Sequence, residues 1–116
     1  MALKEQLVDG IAILALKGKL LGGSETDELH NKLRQLQQQD INKIILDLRQ
    51  LKRLNSSGVA ALMMAKNRLR NAGGDLKLVN VEGEVRNVFM ITKLITIFDT
   101  FSSLDRALES FGKESN

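Results

Sequence analysis

Two adjacent serines followed by a glycine, in the segment RLNSSGVAAL, are the strongest candidates in the sequence for a chemical role. They lie between a predicted apolar strand at 43–48 and a predicted helix at 59–72, which the period of its small and apolar residues indicates. The connection brings Asn55, Ser56 and Ser57 to the helix N-terminus, where unpaired backbone amides gather. One polar side chain can cap these amides, which stabilises a helix by about 1 kcal/mol. Asn or Ser can fill this position, which leaves two polar residues unexplained, and a phosphoryl group on either serine would be tolerated, because a helix start favours negative charge.

Catalytic roles for the serines find no support in the sequence. A serine nucleophile needs a base, and the one histidine, His30, lies beside Glu28 in an earlier predicted helix, with nothing connecting it to the serines. The segment GGSETDEL at 22–29 lacks the lysine of a phosphate-binding loop. The chain has no cysteine, and no group of histidines or carboxylates has metal-ligand spacing. We therefore expect no enzyme, no catalytic residue, no metal site and no cofactor.

The composition predicts one domain over 1–116 with an aliphatic core. Of the 116 residues, 43% are hydrophobic and only 3% aromatic, and no proline cluster or low-complexity tract divides the chain. The beginning, MALKEQLVDG, lacks the apolar core of a signal peptide, and no apolar run approaches the ~20 residues of a membrane span. We therefore expect a cytoplasmic protein without membrane contact. The 17 basic residues are spread among 14 acidic ones with no aromatic residue between them, which argues against nucleic acid as a partner.

The elements follow from hydrophobic periodicity. Apolar runs of strand length predict strands at 3–8, 11–16, 43–48, 76–81 and 96–98. Helical spacing predicts helices at 25–38, at 59–72, around Val85, Val88 and Phe89, and over a last apolar face made by Leu104, Ala107, Leu108 and Phe111. The order β-β-α-β-α-β-α-β-α predicts an α/β domain with a mixed, mostly parallel sheet of about four to five strands, about four helices and an opening β-hairpin.

Turn and cap signals set the predicted boundaries. Asp9-Gly10 is typical of a tight hairpin, and Gly73-Gly74 of a left-handed helix end. Two further pairs predict helix caps, Ser24 with Asp27 and Ser102 with Asp105. Gly112 is predicted to end the last helix and to leave a mobile tail at 113–116.

The segment IILDLRQLKRLNSSGVAALMMAKNRLRNAGGDLKLVNV resembles the centre of STAS domains, especially those of bacterial anti-sigma factor antagonists. In that family an apolar strand ends in Asp-Leu or Asp-Phe, a loop leads to Asp-Ser-Ser-Gly or Asp-Ser-Ala-Gly, and glycine precedes the next strand. The matching residues here are Asp47-Leu48, Ser56-Ser57-Gly58 and Gly74. Gly18-Lys19-Leu20 is similar to the family's Gly-x-Leu-Asp, and 103–108 to its closing helix, so the resemblance covers about 3–111.

The resemblance implies a bacterial phosphoprotein that regulates transcription by partner switching. Such an anti-anti-sigma factor binds an anti-sigma factor serine kinase while unphosphorylated and thereby releases the sigma factor; a PP2C-type phosphatase resets it. The implied acceptor is Ser57, directly before the glycine, with Ser56 as the second choice. We expect a monomer or weak dimer. The implied partner-binding residues are Leu21, Gly22, Ser24, Arg53, Asn55, Ser56, Gly58 and Met63.

Two positions depart from the family pattern, and both remove an acid: Asn55 and Leu21 stand where the family has aspartate. Their carboxylates lie near the acceptor in the family, so their absence favours an alternative. In it the chain is a STAS scaffold or regulatory subunit that binds another protein or a nucleotide without being phosphorylated. Arg49, Lys52 and Arg53, predicted to lie in the loop before the serines, could hold a phosphate or attract an acidic partner, or they could be solvated side chains without a ligand.

Overall fold

The computed structural model describes residues 2–114, with side chains as far as Gly112. A single five-stranded sheet has its strands in chain order. The strands are β1 (Ala2–Val8), β2 (Ile11–Leu20), β3 (Lys43–Leu54), β4 (Asp75–Val79) and β5 (Thr100–Phe101). The helices are α1 (Ser24–Gln38), α2 (Ser56–Asn71), α3 (Gly83–Ile91) and α4 (Leu104–Glu114), with one turn of 3-10 helix at Leu94–Thr96. The predicted fold class is confirmed.

Strand pairing follows the connections. β1 is antiparallel to β2 through the Asp9-Gly10 turn, in which both residues have positive φ. The other neighbouring pairs are parallel, and each is joined by a helical crossover. The predicted hairpin is therefore confirmed.

The core has two parts, one on each face of the sheet. Alternate residues of the central strands, such as Leu14 and Leu46, are fully buried beneath α1, α2 and α3. The residues between them, such as Ile13 and Ile45, face α4, whose Ala107 and Phe111 complete a smaller cluster. A strand covered on both faces is apolar at consecutive positions, as the run IIL at 44–46 of β3 shows.

A buried ion pair fixes α2 to β4. Lys66 Nζ lies 2.7 Å from Asp75 Oδ1, and both side chains are more than nine-tenths buried. Asp75 Oδ1 also accepts from the Leu76 amide at 2.7 Å, and the Lys66 ammonium lies 5.3 Å from the centroid of the Phe98 ring. The charges are therefore held by hydrogen bonds and packing, which a buried pair requires.

β3 is twice as long as the predicted strand at 43–48, so Arg49, Lys52 and Arg53 lie in a strand and not in a loop. The register with β2 shifts twice, and at each shift β3 carries one extra residue. These two β-bulges change the spacing of buried residues from two to three, as Leu48, Leu51 and Leu54 show. A spacing of three does not look like a strand in the sequence.

Smaller corrections concern the ends of elements. The predicted strand at 96–98 is wrong: the chain there forms the 3-10 turn, with the Ile97 amide donating to the Leu94 carbonyl, and β5 follows at Thr100–Phe101. β4 ends at Val79, because Asn80 has a φ of 60°. β2 extends to Leu20 beyond the predicted 16.

The helix ends also differ in part from the sequence prediction. α2 begins at Ser56, three residues earlier than predicted, and its end at Gly73 is confirmed by a φ of 87°. Gly23, not Ser24, is the N-cap of α1. Ser103, not Ser102, accepts from the Arg106 amide at the start of α4. α4 continues past Gly112 to Glu114, and 115 and 116 of the predicted tail lie outside the described residues.

Candidate functional site

Ser57 lies in the first turn of α2, with its side chain exposed. Asn55 is the N-cap: its backbone is extended, and its Oδ1 accepts from the Gly58 amide at 3.0 Å. The cap is therefore supplied without either serine. Within the described residues, the hydroxyls of Ser56 and Ser57 make no hydrogen bond, so both are free to react or to bind.

Asn55 also joins the two loops that surround Ser57. Its Nδ2 donates to the Leu21 carbonyl at 3.0 Å, and its backbone amide donates to the Leu20 carbonyl at 3.4 Å. An aspartate in this place would still cap the helix, but it has no hydrogen to give to Leu21. Asn55 and Leu21, the two positions that depart from the family pattern, are therefore joined by a hydrogen bond. An aspartate carboxylate at position 55 could not donate this bond.

Gly22 and Gly58 allow the loop and the helix to approach Ser57 closely. A Cβ on Gly22 would lie 3.1 Å from Ser57 Cβ and 3.5 Å from Ser57 Oγ, and Gly22 has a φ of 94°. A Cβ on Gly58 would overlap the Leu20 carbonyl and come within 2.6 Å of Leu54 Cδ1. The Gly22 amide donates to Thr26 Oγ1 at 2.9 Å, which ties the loop to α1. The serine therefore lies against a loop of fixed shape.

The structure places the predicted partner-binding residues in different surroundings. Leu21, Gly22, Ser24, Asn55 and Ser56 lie in the two loop-to-helix junctions next to Ser57, whereas Gly58 is buried beneath it. Arg53 is exposed, but it lies on β3 in register with Lys19. Met63 is only partly exposed and packs against the larger core cluster.

The exposed methionine of α2 is Met64, which sequence reasoning did not choose over Met63. Its side chain is 58% exposed, and Ser57, Ala60 and Met64 follow one another at spacings of three and four along the exposed side of the helix. The same spacing is visible in the sequence, but Ser57 belongs to it only if the helix begins at Ser56, three residues before the predicted start. The exposed side of α2 therefore continues the surface around Ser57.

The electrostatics around Ser57 favour an anion. The first turn of α2 contains no acidic residue, and its amides and dipole give this end a partial positive charge. Asn55 and Leu21, which stand where the family pattern has aspartate, contribute no carboxylate to the site. A phosphoserine at 57 would therefore meet no carboxylate from its own helical turn or from positions 21 and 55.

His30 lines a groove of about 390 Å³ between α1 and α2. Burial lowers the pKa of His30, the charge of Arg68 lowers it further, Asp27 raises it, and Arg34 lowers it. No hydrogen bond joins His30 to either serine in the described chain, so the site lacks a serine–histidine pair.

No cluster of three metal-ligating side chains occurs among residues 2–112, and within the described residues no helix is long and apolar enough to cross a membrane.

Known structures share this fold over almost the whole chain. An anti-sigma factor antagonist candidate from Thermotoga maritima superimposes with a TM-score of 0.82 at 22% identity, covering 94% of this chain and 93% of its own. SpoIIAA in its unphosphorylated form gives 0.79 at 22% identity, with coverages of 94% and 95%. A sulfate transporter family protein from Wolinella succinogenes gives 0.77 at 20% identity, with coverages of 92% and 88%. At these identities the likeness shows the fold alone.

Sequence comparison identifies the family. BtrV of Bordetella bronchiseptica, whose name describes it as a candidate anti-sigma factor antagonist, is 27% identical over 111 residues, which are 96% of this chain and 95% of BtrV. The profile of the STAS domain matches residues 3–107, which includes both loops around Ser57. The chain therefore belongs to the STAS domain family.

Proposed function

We propose that this domain is an anti-sigma factor antagonist whose partner binding is switched by phosphorylation of Ser57. The observation that carries the proposal is the exposed Ser57 hydroxyl, which makes no hydrogen bond in the described chain although it lies at a helix start. Asn55 already caps the helix, so capping does not account for the serine. The similarity to BtrV supports this function. The fold is shared with SpoIIAA, an anti-sigma factor antagonist whose structure is known in unphosphorylated and phosphorylated forms.

The proposed switch acts through charge at an interface. The anti-sigma factor is a serine kinase that binds the unmodified surface around Ser57 and so releases its sigma factor. Transfer of the γ-phosphoryl group of ATP to Ser57 Oγ forms the phosphoester and ADP, and the hydroxyl proton passes to solvent. The phosphate adds a charge of about −1.5 to −2, whose desolvation in the interface weakens binding. A PP2C-type phosphatase hydrolyses the ester and restores the hydroxyl.

The geometry supports a switch that leaves the domain folded. The helix start stabilises the added anion, and the Gly22 loop, next to Ser57 Oγ, holds its shape through Thr26. The change is therefore confined to the surface that the partner covers. The proposed setting is the bacterial cytoplasm, where the kinase and the sigma factor are present.

Incubation with the cognate kinase and ATP, followed by peptide mass mapping, tests the proposal. We expect phosphate on Ser57 and a large loss of kinase affinity afterwards. Ser57→Ala should bind without being switched, and Ser57→Asp should bind weakly. Ser56→Ala is the matched control, because it removes the neighbouring hydroxyl and should still be phosphorylated. Phosphate on Ser56 alone, or on neither serine, would refute the assignment.

A second candidate function is a STAS scaffold or regulatory subunit that binds another protein or a nucleotide without phosphorylation. Asn55 and Leu21, which replace two acids of the family pattern, favour it, and STAS-like folds also occur in a sulfate transporter family protein. In that case wild type and Ser57→Asp should bind the partner equally. A loss on Ser57→Asp that Ser57→Asn does not share would exclude this candidate as the main function.

A further inference from the structure

Five exposed basic side chains lie together on the second half of β2 and β3. We call this surface the basic face; its residues are Lys17, Lys19, Arg49, Lys52 and Arg53. They are on the side of the sheet opposite α1, α2 and α3. The leucines between them along the two strands point to the other side and are buried in the larger core cluster. α4 packs on β3, β4 and β5 and leaves these side chains exposed.

The two β-bulges of β3 make this surface. At each bulge two successive residues are exposed between buried leucines: Arg49 and Gln50 at the first, Lys52 and Arg53 at the second. A regular strand would present only every second residue. The bulges therefore increase the density of positive charge on the outer side while the inner side keeps its leucines.

Among the described residues, no ion pair balances the charge of the basic face. Lys19 and Arg53 are direct register partners on neighbouring strands, a like-charge arrangement that destabilises a sheet. β2 contains no acid, and the one acid of β3, Asp47, accepts from the Arg49 amide at 3.1 Å and from Asn80 Nδ2 at 3.2 Å. Without these five residues the chain has 12 basic against 14 acidic residues, so its positive net charge resides here.

We propose that the basic face binds an acidic segment of a partner protein. Five clustered cations without an ion pair among the described residues are complementary to an anionic occupant. Lys17 and Lys19 alternate on β2 and recur at about 6.6 Å, which matches alternate acidic residues of an extended segment. Single-stranded nucleic acid fits less well, because the described phenylalanines are buried or partly buried and no aromatic side chain is exposed on this face to stack on bases. A membrane fits less well too, since none of the exposed large apolar side chains belongs to β3 or to the second half of β2.

This surface differs from the one around Ser57. The serine belongs to α2, which covers the other side of the sheet, so the two surfaces can be occupied by different parts of a partner or by different partners. The inference does not depend on phosphorylation of Ser57.

Fluorescence anisotropy with a labelled ten-residue peptide of alternating glutamate and serine tests the proposal. We expect salt-sensitive binding that weakens at least tenfold when Lys19, Lys52 and Arg53 are all changed to glutamine. The matched control changes three exposed cations elsewhere, Arg86, Lys93 and Arg106, and should weaken binding less than twofold. The two triple variants carry the same net charge, so a difference between them locates the site.

Three results would overturn the proposal. The first is equal weakening by both triple variants, which would show nonspecific attraction. The second is absence of peptide binding at low salt. The third is tighter binding of a 20-base-pair DNA duplex, or of vesicles containing phosphatidylserine, than of the peptide, which would identify a different class of occupant.

As a separate measurement, Arg53→Glu should raise the melting temperature of the free domain by relieving the repulsion with Lys19, and a lowered melting temperature would contradict the like-charge argument.

Discussion

The side-chain amide of Asn55 donates to the backbone carbonyl of Leu21 at 3.0 Å, while its Oδ1 caps α2 through the Gly58 amide. One side chain thus holds both loops around Ser57. Asn55→Ala removes both bonds and should lower the free energy of unfolding by about 1–2 kcal/mol. Asn55→Asp keeps the cap and gains from the helix dipole, so its loss should be smaller. Urea unfolding measures both, and equal losses would mean that the bond to Leu21 alone carries the stabilisation.

Gly22 and Gly23 provide a matched pair next to Ser57. Both have positive φ, 94° and 75°, so alanine at either should cost about 1 kcal/mol of folding stability. Only at Gly22 would the new Cβ meet Ser57, at 3.1 Å, whereas nothing lies within 4 Å of a Cβ on Gly23. Gly22→Ala should therefore reduce the rate of Ser57 phosphorylation by the cognate kinase, and Gly23→Ala should not. Equal rates for the two variants at matched stability would show that this contact does not shape the site.

The buried pair of Lys66 and Asp75 should be costly to break from either side. Lys66→Met or Asp75→Ala leaves one buried charge without its partner, so each should lower the free energy of unfolding by about 3–5 kcal/mol. Arg70 also reaches Asp75, at 3.5 Å, but its side chain is 62% exposed. Arg70→Gln is therefore the control, with an expected loss under about 1 kcal/mol. Thermal and urea unfolding of the three variants would contradict this account if the exposed partner mattered as much as the buried one.

Local signals in the sequence were sufficient for most of the fold and for the position of Ser57. Asp9-Gly10 specified the hairpin, Gly73-Gly74 ended α2, and the polar run before Gly58 marked a helix start, because each signal acts within a few residues. The second half of β3 could not be predicted in this way. Its bulges are defined by the register with β2, a partner distant in sequence.

The same limit applies to the candidate site. The sequence alone does not decide between Met63 and Met64 for the partner surface, whereas the phase of α2 buries Met63 partly and exposes Met64. The bond from the Asn55 side chain to Leu21 cannot be predicted from the sequence, since it depends on a loop 34 residues earlier. The grouping of Lys19 with Arg53 was hidden for the same reason: only the pairing of the strands brings them together.

His30 is the single histidine, so its ring protons in an NMR titration report one site without assignment work. Burial, together with the charge of Arg68, lowers its pKa from the ordinary value of 6.5, and we expect a midpoint below that value. Because the folded state then binds fewer protons than the unfolded chain, this histidine contributes stability at neutral pH. That contribution should fall as the pH drops from 6.5 through the folded midpoint.

Substitution of the charged neighbours of His30 tests the causes of its lowered pKa. Arg68→Gln removes the larger charge effect and should move the His30 midpoint upward by more than Arg34→Gln does. Asp27→Asn removes the one acid that raises the pKa and should move the midpoint downward. A wild-type midpoint at or above 6.5, or an upward shift in the Asp27 variant, would mean that the groove between α1 and α2 is more hydrated or less positive than the structure indicates.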